Sequence, residues 1–314
     1  MRTKVILDVD TGIDDALAIA FLLGKKEVDV IGITTCFGNV TVETATENTL
    51  NLLHLLGRDD VRVYPGARGP WNGREWIIGE HLHRIHGYNG IGNVELEKSP
   101  NEAEKTTAWQ FMVESARRYG SELMLICVGP LTNLANAIKL DKEAISSCQR
   151  ITLMDGALTV SGNISPYAEA NVYNDSDAAE YVLSSGIDVN MIGLDVTLQT
   201  IVTDKELGFW QTLNTLKSRK LFDIAAYYYF NEFKEVKGGA LHDPLAVEAA
   251  VNPDIADDWL RINLTVDQEG VTRGRIHTTK ELMSREHKNV NYALNVDADT
   301  FIRRFADTVS EVLK

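Results

Sequence analysis

Cysteine, basic charge and long apolar runs are all scarce in this chain of 314 residues. Its three cysteines, Cys36, Cys127 and Cys148, lie far apart and form no CxxC pair, which excludes a disulfide framework and leaves reduced thiols in apolar surroundings. Lys and Arg number 31 against 45 Asp and Glu, a formal net charge of −14. A surface that grips nucleic acid or an anionic membrane needs clustered Lys and Arg, so neither is an expected partner. No uninterrupted apolar run approaches the ~20 residues that cross a bilayer. The apolar strand pattern begins so near the N-terminus that no signal peptide fits before it, and the expectation is a soluble, cytoplasmic protein. Ser/Gly/Pro-rich linkers, fixed-period repeats and low-complexity tracts are missing as well. With 44% hydrophobic residues the chain can bury a substantial core, and one domain spanning 1–314 is expected.

What is present is organised around DVDTGIDDALAIAF, residues 8–21. Val5, Ile6 and Leu7 suit a strand buried on both faces, Thr11-Gly12 makes a tight turn, and Leu17, Ala18, Phe21 and Leu22 recur at helical spacing. Asp8, Asp10, Asp14 and Asp15 therefore gather at the carboxyl end of a first parallel strand, where open α/β sheets bind their ligands. Like charges so close repel one another, and a hard divalent cation among carboxylate oxygens relieves them. Helix capping by Asp14 and Asp15 accounts for some of this acidity. It does not account for Asp8 and Asp10, which share a strand face.

The rest of the chain alternates strand and helix, which predicts an α/β fold with a mostly parallel sheet flanked by helices. Strands are expected at 28–35, 61–64, 122–128, 150–154 and 189–194, then near 261–266 and 275–278. Helices are expected at 43–56, 102–119, from Pro130 onward, 176–183, 204–217, 221–233 and 299–313. Residues 69–100 and 161–171 read as long loops, and long loops in compact chains usually carry function. Gly238-Gly239 reads as a break, after which Asp243 is a ready N-cap with Pro244 at the first helical position. His81, His83 and His86 raise the possibility of a zinc site, but one active-site histidine with surface neighbours is the better reading, since the carboxylates call for a harder ion.

The apparent strand ends thus carry Asp8, Asp10, Asp14, Asp15, Gly38-Asn39, the loop with His86, the backbone of Val128 before Gly129-Pro130, Met154, Asn163, Glu169, Asn171, His242 and Asp243. Carboxylates and carboxamides with almost no Lys or Arg suit a neutral polyol better than a phosphate. A metal beside an amide-rich pocket points to a sugar.

DVDTGIDDALAIAF, FGNV, IHGYNGIG, VGPLTNLA, GNISPYAEAN and HDPLAV together resemble, in order, the signature blocks of the inosine-uridine-preferring nucleoside hydrolases. The resemblance implies a calcium-dependent N-ribohydrolase on an open, Rossmann-like sheet, acting on a nucleoside, with a homodimer or homotetramer as the assembly. It implies that Asp10, Asp15, Asp243 and the Val128 carbonyl hold Ca²⁺. Asp14, Asn39, Asn163, Glu169 and Asn171 match its ribose-binding positions. His86 and His242 match those near the base, with Met154 and Tyr228, one of three tandem tyrosines, as further substrate contacts. Asp10 would then be the general base, and His242, through imidazolium or a relay, would protonate the leaving base. Two positions differ: Asp155 stands where the family commonly has glycine, and Ala170 where an aromatic often packs near the sugar.

Two other readings compete. Asp8-Val9-Asp10-Thr11 also resembles the first motif of haloacid-dehalogenase-type phosphatases, with Asp8 as nucleophile and Mg²⁺ as cofactor, but no GDxxxD block follows. A non-catalytic nucleoside- or sugar-binding protein would keep the pocket and lose the base or a metal ligand, and Asp10, Asp15 and Asp243 are all retained.

Overall fold

The computed structural model describes residues 2–232 and 238–314, without the side chains of 230–232. The chain runs through β1 (Thr3–Val9), α1 (Ile13–Gly24), β2 (Val28–Thr35), α2 (Val42–Leu56), β3 (Val63–Pro65), α3 (Glu80–His86), α4 (Ala108–Tyr119), β4 (Leu123–Cys127), α5 (Thr132–Ser146) and β5 (Arg150–Leu153). It continues through α6 (Ala170–Asn174), α7 (Ser176–Ser184), β6 (Val189–Met191), α8 (Leu194–Thr197), β7 (Ile201–Thr203), α9 (Asp204–Thr212) and α10 (Leu216–Glu232). The last elements are β8 (Gly238–Ala240), α11 (His242–Val251), β9 (Ala256–Ile262), β10 (Thr265–Val266), β11 (Ile276–His277), α12 (Lys280–Ser284), β12 (Val290–Val296) and α13 (Ala298–Leu313).

Eight strands form the central sheet in the order β3-β2-β1-β4-β5-β6-β12-β9. All its neighbours are parallel except β12 and β9, so the expected open α/β architecture is what forms. The chain leaves β1 toward β2 and β3, then returns to lay β4 on the other side of β1. That reversal opens a crevice above the carboxyl ends of β1 and β4, the place where such sheets bind ligands.

Side-chain alternation along β1 builds both layers. Val5, Leu7 and Val9 face a core shared with α1, α2, α10, α11 and α13, while Ile6 faces the core of α4, α5 and α7. α1 is buried without a break from Ile13 to Leu22, the pattern of a helix enclosed on all sides. At its end Lys25 pairs with the buried Glu248 of α11, which also takes Arg304 of α13 at 2.7 Å.

Several elements differ from the sequence expectation, each for a local or tertiary reason. Residues 69–100 are not loop throughout, since α3 places His86 inside them. Residues 102–107 are irregular, and Thr107 caps α4 in a reciprocal pair with Gln110. Pro130 precedes α5 rather than entering it, with Leu131 as the cap residue. Asn214, at a φ of 54°, ends α9 early, and the reciprocal Thr215 and Ser218 hydroxyl bonds start α10 before residue 221. Phe233, the expected end of that helix, lies outside the described residues. Gly238-Gly239 is a strand paired antiparallel with β7. Asp243 is not the N-cap of α11 and Pro244 is not its first residue: the helix begins at His242, with Leu241 at the cap. β12, unmarked in the sequence reading, pairs with both β6 and β9.

Candidate active site

Asp10 follows directly on β1, and its carboxylate accepts two hydrogen bonds from Asn39, from the backbone N–H at 2.6 Å and the side-chain amide at 3.1 Å. Gly38 makes this approach possible, because a Cβ there would lie 1.9 Å from Asp10 Oδ2. Asp15 ties the turn together by accepting the N–H groups of Asp10 at 3.0 Å and Gly12 at 2.9 Å, and the Asn39 amide at 3.1 Å. Capping does therefore explain part of the acidic motif, as a carboxylate bonded to the first helical turn. Gly12 is needed for a second close approach: a Cβ there would meet His86 Nδ1 at 2.6 Å and the Asn39 amide at 2.8 Å.

Asp14 points the other way, toward α11, where its Oδ2 accepts the Asp243 N–H at 2.8 Å. Asp10, Asp14, Asp15 and Asp243 are all 9% exposed or less. Burial raises the pKa of each above the ordinary carboxylate value; for Asp10, Asp14 and Asp243 the charge of Asp15 adds to it, whereas the hydrogen bonds Asp15 accepts oppose its own rise. For Asp243 the charges acting in the same direction are Asp14, Asp15, Asp10 and Glu169.

The donor set fits a hard cation. Its atoms are all oxygen, its uncompensated charge is negative, and Asp14 Oδ1 is buried without a hydrogen-bond partner. Among the described residues, however, no three His, Cys, Asp or Glu side chains stand in a ready metal-ligating group. The oxygens of Asp10 and Asp15 are instead turned to the amide donors just named. The carbonyl of Val128 accepts the Asn171 amide at 2.9 Å, and a carbonyl's second lone pair remains for another contact.

Glu169 and Asn171 form the facing wall. Glu169 caps α6, accepting the N–H groups of Gly156, Asn171 and Val172 at 3.0, 2.7 and 3.1 Å. The Asn171 amide bridges the carbonyls of Val128 and Met154, joining the ends of β4 and β5. Asn163 stands apart, exposed on the irregular segment before Glu169. Asp155, between the clamped Met154 and Gly156, is wholly buried, and neither carboxyl oxygen has a partner. Ala170 is the first residue of α6 and half-buried.

The two histidines enter from separate elements. His86 Nδ1 accepts the Ile13 N–H at 3.3 Å, its ring lies 6.4 Å from that of Tyr228 in a stacked arrangement, and burial pulls its pKa down to about 3. His81 is exposed and His83 stacks on Tyr88, so the three histidines do not converge. His242 sits at the start of α11 with Nδ1 2.7 Å from the Thr197 hydroxyl, and burial pulls its pKa down to about 4. Both rings are neutral at neutral pH.

Of the next four residues, Asn133 and Thr197 were not marked from sequence, while Asp8 stood in the acidic cluster and Tyr229 among the tandem tyrosines. Asp8 is buried under the site, bonded to Thr34 at 2.6 Å and Asn133 at 2.8 Å, with its other oxygen unpartnered. Asn133 also reaches the Thr35 carbonyl and the Ala67 N–H. Tyr229 is buried with an unpartnered hydroxyl, and the charges of Asp14 and Asp243 help hold its pKa up. Thr197 holds His242. The amide in VGPLTNLA was the visible signal for Asn133; a single threonine at 197 offered none.

Comparison with known proteins decides the family. The family model described as inosine-uridine preferring nucleoside hydrolase matches residues 5–303. The chain belongs to the inosine-uridine preferring nucleoside hydrolase family. It is 35% identical to a probable uridine nucleosidase 2 of Arabidopsis thaliana, over 99% of this chain and 98% of that protein. It is 30% identical to a pyrimidine-specific ribonucleoside hydrolase of a Shewanella species, over 99% and 97%. Among solved structures, a purine-preferring ribonucleoside hydrolase from Gardnerella vaginalis superimposes with a TM-score of 0.96 at 41% identity, covering 99% of each chain. As a nucleoside hydrolase, this chain does not use Asp8 as a phosphatase nucleophile, and the buried, doubly hydrogen-bonded state of that side chain agrees. Among the described residues no helix is long and apolar enough to cross a membrane.

Proposed function

We propose that this nucleoside hydrolase cleaves the N-glycosidic bond of ribonucleosides in a calcium-dependent reaction at the crevice above β1 and β4. The observation that carries the reading is the buried cluster of Asp10, Asp14, Asp15 and Asp243, whose repulsion is relieved by a hard cation. Asp10, Asp15, Asp243 and the Val128 carbonyl would hold that ion, which would supply a water of lowered pKa and a Lewis-acidic centre beside the sugar.

The chain's own residues do the remainder. Asp10, fixed by two bonds from Asn39, accepts the proton of the attacking water. Bond cleavage builds positive charge on the sugar, which the surrounding carboxylates stabilise. Asp14, Asn39, Asn163, Glu169 and Asn171 bind the ribose hydroxyls, and Met154 packs beside them. His86, His242 and Tyr228 surround the base, and His242 assists its departure. Exposed Asn163 reaches the sugar only if its segment folds inward over bound substrate.

The same proposal takes the chain as one catalytic domain, supported by a family match over residues 5–303 and by one sheet joining both halves. A homodimer or homotetramer is the assembly that family resemblance suggests, and a cytoplasmic location, expected from the sequence pattern, is part of the same proposal. The related proteins are named for uridine, pyrimidine and purine substrates, so both base classes belong in the test. Ribose release from inosine, uridine, guanosine and cytidine, measured with calcium, after exhaustive chelation and after readdition of Ca²⁺ or Zn²⁺, decides it. Activity is expected to vanish on chelation and to return better with Ca²⁺. Full turnover after chelation, or recovery with Zn²⁺ alone, refutes the calcium assignment.

A further inference from the structure

The Thr197 hydroxyl is wholly buried and lies 2.7 Å from Nδ1 of His242. Among the described residues it has no other hydrogen-bond partner. Hydroxyl and imidazole can bond in two senses, and burial decides between them. If Nδ1 carried the proton and donated, the hydroxyl proton of Thr197 would be left inside the protein without an acceptor, an arrangement folded proteins avoid. If the hydroxyl donates, Nδ1 is the acceptor, every proton is matched, and the ring's single proton resides on Nε2.

The surroundings hold this contact in place from both sides. On one side α8 is clamped by Asp195, whose carboxylate accepts the Leu158 N–H at 2.9 Å, the Thr159 N–H at 2.7 Å and the Tyr292 hydroxyl at 2.5 Å. On the other, the Leu241 N–H bonds the Thr200 carbonyl at 3.0 Å, and the Thr200 hydroxyl reaches back to the Thr197 and Leu241 carbonyls. Residues 197–200 and 241–242 are therefore strapped together on either side of the hydroxyl–imidazole bond. His242 as a residue is only partly buried, and with Nδ1 turned to a buried partner the Nε2 edge is the one left for another contact.

We propose that Thr197 is a positioning residue that fixes His242 in the Nε2–H tautomer, so that a neutral imidazole presents a hydrogen-bond donor to the departing nucleobase. The inference rests on the reading of His242 as the group that assists the base and adds how it does so. As the C–N bond breaks, its electron pair moves onto the base, which leaves as an anion hydrogen-bonded to Nε2–H and then takes its proton from solvent, while Asp10 accepts the proton of the water that adds to the sugar carbon and releases it to solvent. A neutral imidazole acts as an electrophile in this way elsewhere in enzymology.

The test uses the full chain labelled with ¹⁵N-histidine in calcium-containing buffer, as wild type, Thr197→Val, which removes the hydroxyl at nearly constant shape, and Thr197→Ser, which keeps it. Wild type and Thr197→Ser should show the ¹⁵N shifts of an Nε2–H ring at His242, and Thr197→Val a shift toward mixed tautomers. In Thr197→Val, kcat on inosine should fall roughly 10²-fold, the scale of a misaligned catalytic group, with KM little changed. Turnover of p-nitrophenyl riboside, whose leaving group needs no donor, should hold, and Thr197→Ser should restore inosine turnover. An Nδ1–H signature in wild type, an unchanged tautomer in Thr197→Val, or equal losses on both substrates would overturn the proposal. His242→Ala separates the two layers: full inosine activity in that variant defeats the donor reading itself, whereas the ¹⁵N shifts judge the role of Thr197 independently.

Discussion

The Oδ2 atom of Asp14 accepts a 2.8 Å hydrogen bond from the backbone N–H of Asp243, a residue 229 positions later in the chain. The acidic first turn of α1 thereby meets the first turn of α11, and two helix N-termini converge on one spot. The positive ends of both helix dipoles favour the carboxylates gathered there. Burial opposes them, and so does their mutual repulsion. The bond thus brings a metal-site candidate and the helix bearing His242 into register.

Asp10→Asn keeps the side chain's shape and removes the proton acceptor together with a formal charge. Under the proposed mechanism kcat should fall by at least ~10³, a general-base loss compounded by weaker metal binding. Steady-state kinetics at saturating calcium, beside a calcium-binding isotherm, make the check. Near-normal turnover in a fully loaded variant would shift the base role to Asp14.

His242→Ala should lose roughly 10²–10⁴ in kcat on inosine or uridine, the scale of a positioned leaving-group catalyst. A p-nitrophenyl riboside expels an anion that needs little help, and should be cleaved at close to the wild-type rate. Parallel losses on the two substrates would instead identify His242 as a structural residue at the start of α11.

Asn133→Ala tests the support beneath the site. The amide donates to Asp8 and the Thr35 carbonyl and accepts the Ala67 N–H, all in the interior. Its loss takes one of two hydrogen bonds from Asp8, which keeps Thr34, and removes this partner from the Thr35 carbonyl and the Ala67 N–H, so unfolding free energy from urea titration should fall by about 2–4 kcal/mol. A change within about 0.5 kcal/mol, the range of an ordinary surface substitution, would show that water replaces the amide without cost.

Asp155→Asn should flatten the dependence of stability on pH. Burial holds the Asp155 pKa well above the ordinary value of 3.8, and Glu169 raises it further. The native state therefore keeps a proton that the unfolded chain releases. The stability this contributes is whole below pH 3.8 and is lost as pH rises through the native pKa. Relative to wild type, the variant's Tm should climb steadily from pH 4 to pH 8. Parallel Tm curves would mean that Asp155 is hydrated and titrates normally.

Local pattern determined much of this molecule without any tertiary information. Apolar runs and turn residues marked β1, β2, β4 and β5, because a strand buried on both faces must be apolar along its length. The four aspartates at the end of β1 marked the crevice, because like charges concentrated in eight residues need an outside explanation. Order and content of the motifs identified the family, which the match over residues 5–303 bears out. Tertiary structure decided the rest. Asp243 looked like its own helix cap because the carboxylate that takes its N–H lies 229 residues away, and no local window contains both. β12 joins the sheet through pairing with β6 and β9, and a strand's partners leave little trace in its own residues. His81, His83 and His86 are neighbours in sequence, yet the helix they share turns only His86 inward. Thr197 acquires its partner only when α8 and α11 are folded side by side, since a single hydroxyl gains meaning from the one atom it faces and burial removes every alternative.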